Sequence, residues 1–320
     1  MFTTPILFLV FNRPDTTVRV FEQIRKIKPA YLYVAADGPR ESKPGEKEIC
    51  DKVRSLVLSQ IDWECEIKTL LREENLGCGK AVSGAITWFF ENVEEGIILE
   101  DDTVPDLSFF KFCEILLKRY AYAENVKIIS GNNFQNDNIR GDGSYYFTKY
   151  IHIWGWATWR RSWNLYDFEL QDWISRSAHA KRELFTSKKQ YEYWSNIFDL
   201  VSKKEIDTWD YQLFYLSIKS NGINVIPNKN LVTNIGFMQD STHTNDPNNK
   251  LAGLSKYEYS EDVIPLKFEA DNEADSFTFN NVYTEGNTNP AKSKSNNLFY
   301  RIFKKPVRFL KDIIKRMGND

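Results

Sequence analysis

The chain has 320 residues, enough for one large domain or a core domain with appendages, and its 9 Trp, 16 Tyr and 22 Phe point to an extensive aromatic core. A net charge of −2 excludes the global electrostatic pull of a nucleic-acid-binding protein. That balance hides an asymmetry: residues 292–320 carry nine Lys or Arg against two Asp, about +7, and leave the rest at about −9.

The apolar run 6–11 reads as a buried first strand, too short to span a bilayer and not preceded by a basic segment. Asn12-Arg13-Pro14-Asp15 breaks it, and Val18, Phe21, Ile24 and Ile27 then share one helical face. Residues 31–36 form the second strand, ending at Asp37-Gly38-Pro39, and Ile49, Val53, Leu56 and Val57 mark a second helix. Residues 65–71 are the third strand, 81–90 a helix, 96–99 the fourth strand, 109–120 a helix and 126–130 the fifth strand. This β–α alternation with wholly apolar strands predicts an α/β fold with a mostly parallel sheet of Rossmann-like character and helices on both faces. Beyond residue 135 the pattern changes. Residues 132–143 read as a loop, 145–163 as an aromatic-rich stretch, 183–216 as helical, 223–227 as a late strand and 234–249 as turn-rich. Residues 269–297 are polar and read as a linker. The four cysteines, at 50, 65, 78 and 113, form no CxxC pair and are expected to be reduced thiols of a cytoplasmic protein.

The fourth strand runs straight into Glu100-Asp101-Asp102. Three adjacent acids repel one another, and burial adds desolvation, so a cation is expected beside them. A divalent metal that holds a phosphorylated substrate fits the carboxyl end of such a strand. The plain alternative is an acidic turn with Asp106 capping the next helix. Neither a GxxxxGK[ST] run nor a GxGxxG after the first strand is present, which excludes the two commonest phosphate-binding loops.

At this point the chain resembles the GT-A nucleotide-sugar glycosyltransferases, and in its EDD motif the N-acetylglucosaminyltransferase I-like and family 2-like enzymes. The residues that carry the resemblance are Asn12-Arg13-Pro14 after the first strand, Asp37 after the second, the stretch Arg72-Glu73-Glu74-Asn75-Leu76-Gly77-Cys78-Gly79-Lys80, and Ile98-Leu99-Glu100-Asp101-Asp102 followed by Pro105-Asp106 and Phe109-Phe110. It covers roughly residues 4–240. It implies an enzyme that binds a UDP-sugar through Asn12, Arg13, Asp37, Arg72, Lys80, Glu100 and Asp101, with Asp102 as ligand to Mn²⁺ or Mg²⁺. Arg72 and Lys80 read equally well as surface residues, and Gly77 and Gly79 as a simple turn.

Trp154-Gly155-Trp156 belongs to a Trp-rich segment with no clean period. It is either core or, as the resemblance implies, a surface that stacks on donor or acceptor sugar. An inverting transferase needs a base for the acceptor hydroxyl. By resemblance Asp210 takes that role and Asp207 is the second choice, although Asp207 also fits a helix N-cap. The resemblance also gives His243, in a loop after the main body, to the metal or diphosphate. Residues 298–320 read as a basic amphipathic helix for an anionic membrane surface on the inner face of the plasma membrane, or as a helix docked on a protein.

The expected organisation is a transferase domain over 1–268, with a nucleotide-sugar half to 135 and an acceptor half from 136. A linker over 269–297 and the helix 298–320 follow. The expected activity is transfer from a UDP-sugar to a glycan or lipid-linked acceptor, inverting in the sense of direct displacement, in bacterial surface polysaccharide synthesis. The rivals are a sugar-phosphate nucleotidyltransferase and a non-catalytic carbohydrate-binding protein.

Overall fold

A computed structural model of the chain describes residues 1–236, 251 and 253–284. The first half alternates strand and helix. It comprises β1 (Ile6–Val10), α1 (Pro14–Ile27), β2 (Tyr31–Ala36), α2 (Glu46–Ser59), β3 (Glu66–Leu71), α3 (Cys78–Asn92), β4 (Glu95–Glu100), β5 (Thr103–Pro105), α4 (Leu107–Arg119) and β6 (Val126–Ser130). The second half adds β7 (Tyr145–Thr148), β8 (Trp156–Trp159), α5 (Arg160–Trp163), α6 (Gln171–Ser175), α7 (Ala178–Arg182), α8 (Lys188–Ser202), α9 (Asp210–Lys219), β9 (Ile223–Pro227), β10 (Val232–Asn234) and α10 (Asn272–Thr278).

Eight strands form one sheet in the order β3-β2-β1-β4-β8-β6-β9-β7, and β10 pairs with β5 in a second, two-stranded sheet. The pairings from β3 through β4 are parallel, as is β6 with β9; β8 runs antiparallel to both its neighbours, and β7 antiparallel to β9. Every residue of β1 is buried, so both faces of the central strand are covered, as its unbroken apolar sequence requires. The α/β class and the mostly parallel sheet are those expected. Among the described residues no helix is long and apolar enough to cross a membrane.

The parts before and after residue 135 share one sheet, because β8 lies between β4 and β6. Two expectations need correction. The helical stretch 183–216 breaks into α8 and α9, with Lys204 in the left-handed region between them at φ 59°. The first part of the polar stretch 269–297 is no linker. Asp271 caps α10 by accepting from the Ala274 N–H, and a π-helical turn, Phe279–Tyr283, follows. Phe279, Val282 and Tyr283 are buried, and Tyr283 packs against Trp194 with ring centroids 4.8 Å apart. A few well-spaced apolar side chains anchor a segment whose composition is otherwise polar.

Candidate active site

The parallel register sets Val10 beside Ala36 and Leu9 beside Glu100. The ends of β1, β2 and β4 therefore bring Asn12, Arg13, Asp37 and the acids 100–102 to one edge of the sheet. The cation beside the acids is Arg13, at the N-cap of α1. One terminal guanidinium nitrogen donates to Asp102 Oδ2 at 2.8 Å and the other to Asp101 Oδ1. Burial works against the charged guanidinium, but Asp101 and Asp102 outweigh it and hold its pKa above the ordinary value. Burial, despite Arg13, raises the Asp101 pKa. Glu100 is pushed up to about 8, by burial first and by the Asp102 charge second.

Asp37 faces a loop rather than open solvent. It accepts from the Leu76 N–H at 3.0 Å and from Asn75 Nδ2 at 2.9 Å, and burial raises its pKa. Arg72 lies along α3 and donates to the Ala81 carbonyl at 3.1 Å. Lys80 is exposed and lines a surface groove of about 390 Å³ with Trp88, Glu91, Tyr166 and Phe168, a groove that none of the three acids lines. Asn12 Nδ2 donates to Glu46 Oε1 at 2.9 Å.

Two residues that organise this edge are absent from the expected set. Glu46, buried in the first turn of α2, accepts from Asn12 and, through the Arg40 N–H at 2.7 Å and the Arg40 guanidinium, fixes the loop after β2. Arg54 donates to the Asp37 and Arg72 carbonyls at 3.1 and 2.5 Å and so joins the ends of β2 and β3. A signal for both exists in the sequence. Glu46 and Arg54 fall on the same helical face as Cys50, Val53 and Val57, the buried face of α2.

From the second half, Asp207 and Asp210 arrive by different routes. Asp207 caps α3 from a distant part of the chain: its Oδ1 accepts from the Gly79 N–H at 3.0 Å and its Oδ2 from the Cys78 N–H at 3.1 Å. These donors are free ends of a helix whose dipole favours a negative charge. Asp207 is thus a structural cap of α3, not of the helix that follows it, and its carboxylate is not placed as a base. Asp207→Ala is expected to cost about 1–2 kcal/mol of stability. A urea midpoint unchanged from wild type would contradict that role.

Asp210 stands in the first turn of α9, 5% exposed, and accepts from the Thr208 hydroxyl. Burial pushes its carboxyl up to about 6. It is close enough to Glu100 to raise that residue's pKa, and the Cys78 thiol is raised by burial and then by Glu100, Asp207 and Asp210 together. Glu100 at the end of β4, Asp207, and Asp210 at the start of α9 therefore lie near the start of α3.

The Trp-rich segment divides. Trp156 lies in β8, fully buried, stacked on Trp209 at 5.8 Å and 20°. It is a core residue, because β8 sits inside the sheet, and it offers no face to a sugar. Gly155 adopts φ 66°, and a Cβ there would lie 2.9 Å from Val232 Cγ2. It is small so that β10 can pack closely. Trp154 alone of the three shares a cavity with Asp210, a space of about 20 Å³ also lined by Phe134 and His152. His152 is buried and its pKa falls to about 3 through that burial, so it is neutral. His243 and the tail 298–320 lie outside the described residues.

The acids fit one mode of metal binding. Among the described residues no three His, Cys, Asp or Glu are grouped to form a protein cage. Asp101 Oδ2 is buried without a hydrogen-bond partner, and a Cβ at Gly236 would lie 2.2 Å from Asp102 Oδ2, so the backbone there leaves a cradle against that carboxylate. This suits an ion held by one protein carboxylate, with substrate oxygens and water completing its shell.

No protein-family model matches the chain, and no curated protein matches it. Several solved structures overlap it in part. HddC from Yersinia pseudotuberculosis is 13% identical, with a TM-score of 0.33 over 55% of this chain and 87% of that one. TarS 1-349 from S. aureus is 10% identical, with a TM-score of 0.39 over 73% of this chain and 61% of that one. A UDP-glucose pyrophosphorylase complexed with UDP-glucose is 9% identical, with a TM-score of 0.31 over 51% of this chain and 78% of that one.

Proposed function

We propose that the chain is a metal-dependent glycosyltransferase that moves a sugar from a UDP-sugar to a glycan or lipid-linked acceptor, by direct displacement with inversion, in bacterial surface polysaccharide synthesis. The observation that carries this reading is the meeting of two sets of acids at one end of the sheet: Glu100, Asp101 and Asp102 with their guanidinium partner, and Asp210 with a carboxyl near pKa 6. In open α/β sheets ligands lie outside the carboxyl ends of the strands, where Asn12, Arg13 and Asp37 also stand.

Asp102 would hold Mn²⁺ or Mg²⁺. Once bound, the metal neutralises charge on the departing UDP. Asp210 is ionised at neutral pH and takes the proton of the acceptor hydroxyl. The hydroxyl oxygen forms its bond to the anomeric carbon as the bond from that carbon to the UDP oxygen breaks, and the electron pair leaves with UDP. Trp154 shares with Asp210 a cavity of about 20 Å³, room for a water rather than for a sugar ring.

The test is thermal unfolding with a panel of nucleotides, with and without Mn²⁺. UDP with Mn²⁺ at a hundredfold excess over Kd is expected to add about 2.7 kcal/mol, roughly 5 °C for a chain of this size. Asp102→Asn loses the metal-dependent part. Indifference to every nucleotide sinks the reading. Release of UDP rather than pyrophosphate on turnover separates it from nucleotidyl transfer to a sugar phosphate.

A further inference from the structure

Arg13 occupies the place that a metal would need. Its two terminal nitrogens take Asp101 Oδ1 and Asp102 Oδ2, yet its Nε and Asp101 Oδ2 are both buried without hydrogen-bond partners. One guanidinium faces two carboxylates while a donor and an acceptor stay unused, an arrangement that another partner can improve. The α1 backbone need not move to release the guanidinium, because it is fixed separately by the Thr17 N–H bond to the Arg13 carbonyl at 3.0 Å. A diphosphate is a better partner for a guanidinium fork than two carboxylates on separate residues, since it accepts two parallel bonds.

Resting on the glycosyltransferase reading, we propose that Arg13 is a resident counter-cation that keeps the metal site closed until a nucleoside diphosphate draws it away. The diphosphate takes the guanidinium and frees Asp102 Oδ2, the carboxylate that would hold the divalent cation. Metal and nucleotide therefore bind with positive coupling, and the coupling is reciprocal.

The experiment is calorimetric titration of the full chain with Mn²⁺ alone, UDP alone, and Mn²⁺ in the presence of UDP. Wild type is expected to bind Mn²⁺ alone at least tenfold more weakly than with UDP. Arg13→Gln is expected to bind Mn²⁺ alone at least tenfold more tightly than wild type, and UDP alone more weakly. Arg13→Lys, which keeps the charge but has no fork, is expected to tighten Mn²⁺ binding several-fold, and it carries the test if the glutamine variant does not fold. If wild type shows UDP-dependent Mn²⁺ binding but neither variant tightens Mn²⁺ binding alone, the counter-cation role is overturned and the glycosyltransferase reading stands. If no protein binds Mn²⁺ with any nucleotide, the glycosyltransferase reading falls, and this role with it.

Discussion

Asp210→Asn is expected to cut turnover by about 10²–10⁴-fold while UDP and Mn²⁺ still raise the unfolding temperature. The amide keeps the shape of the side chain and its bond from Thr208 but cannot accept the acceptor's proton. The wild-type rate should rise with pH through about 6, where Asp210 ionises, and the variant should lose that limb. Stability moves the other way. The folded-state pKa is raised from 3.8 to about 6, so the native state binds more protons than the unfolded chain in that interval. Native stability therefore falls as pH rises from about 4 to about 6, by about 3 kcal/mol at 1.36 kcal/mol per unit, and this group adds no further change above that. Urea unfolding at pH 4.5 and 7.5 should show a shallower fall in Asp210→Asn than in wild type. An asparagine variant with wild-type turnover would remove Asp210 from the chemistry.

Trp156→Ala is expected to cost about 3–5 kcal/mol. Trp156 pairs across β8 with Ile98 on one side and Ser130 on the other, and its ring stacks on Trp209 just before Asp210. Truncation opens a void in the middle of the sheet that these partners cannot fill. The measurement is the urea midpoint. A role in sugar stacking would instead leave the midpoint unchanged and raise KM.

The contrast between Trp154 and Trp156 shows where sequence stops being informative. Both stand in one aromatic run and both are buried in the core, and only the insertion of β8 between β4 and β6 decides that Trp156 lies inside the sheet while Trp154 lines the cavity with Asp210. β8 has four residues and its partners are distant in sequence, so no local period announces it. The long parallel strands are different. β1, and β2 beyond Tyr31, are buried on both faces, and their unbroken apolar runs are legible from composition alone. At the site, Glu100-Asp101-Asp102 could be recognised as needing a cation, but its identity as Arg13, 88 positions from Asp101, comes from the register of β1 on β4. Local sequence makes Asp207 a cap for the wrong helix for the same reason: the N–H groups that it binds belong to residues 128 and 129 positions away.

The place of β8 also fixes the order in which the chain can be completed during synthesis. When β4 leaves the ribosome it can pair with β1, but its other edge stays open until residues 156–159 emerge. Over that interval the strand that carries the acids is an apolar sheet edge, ready to accept a foreign strand. A fragment ended near residue 135 would keep that edge for good. It would hold every donor-side residue named here and still be an aggregating species rather than a smaller nucleotide-binding protein.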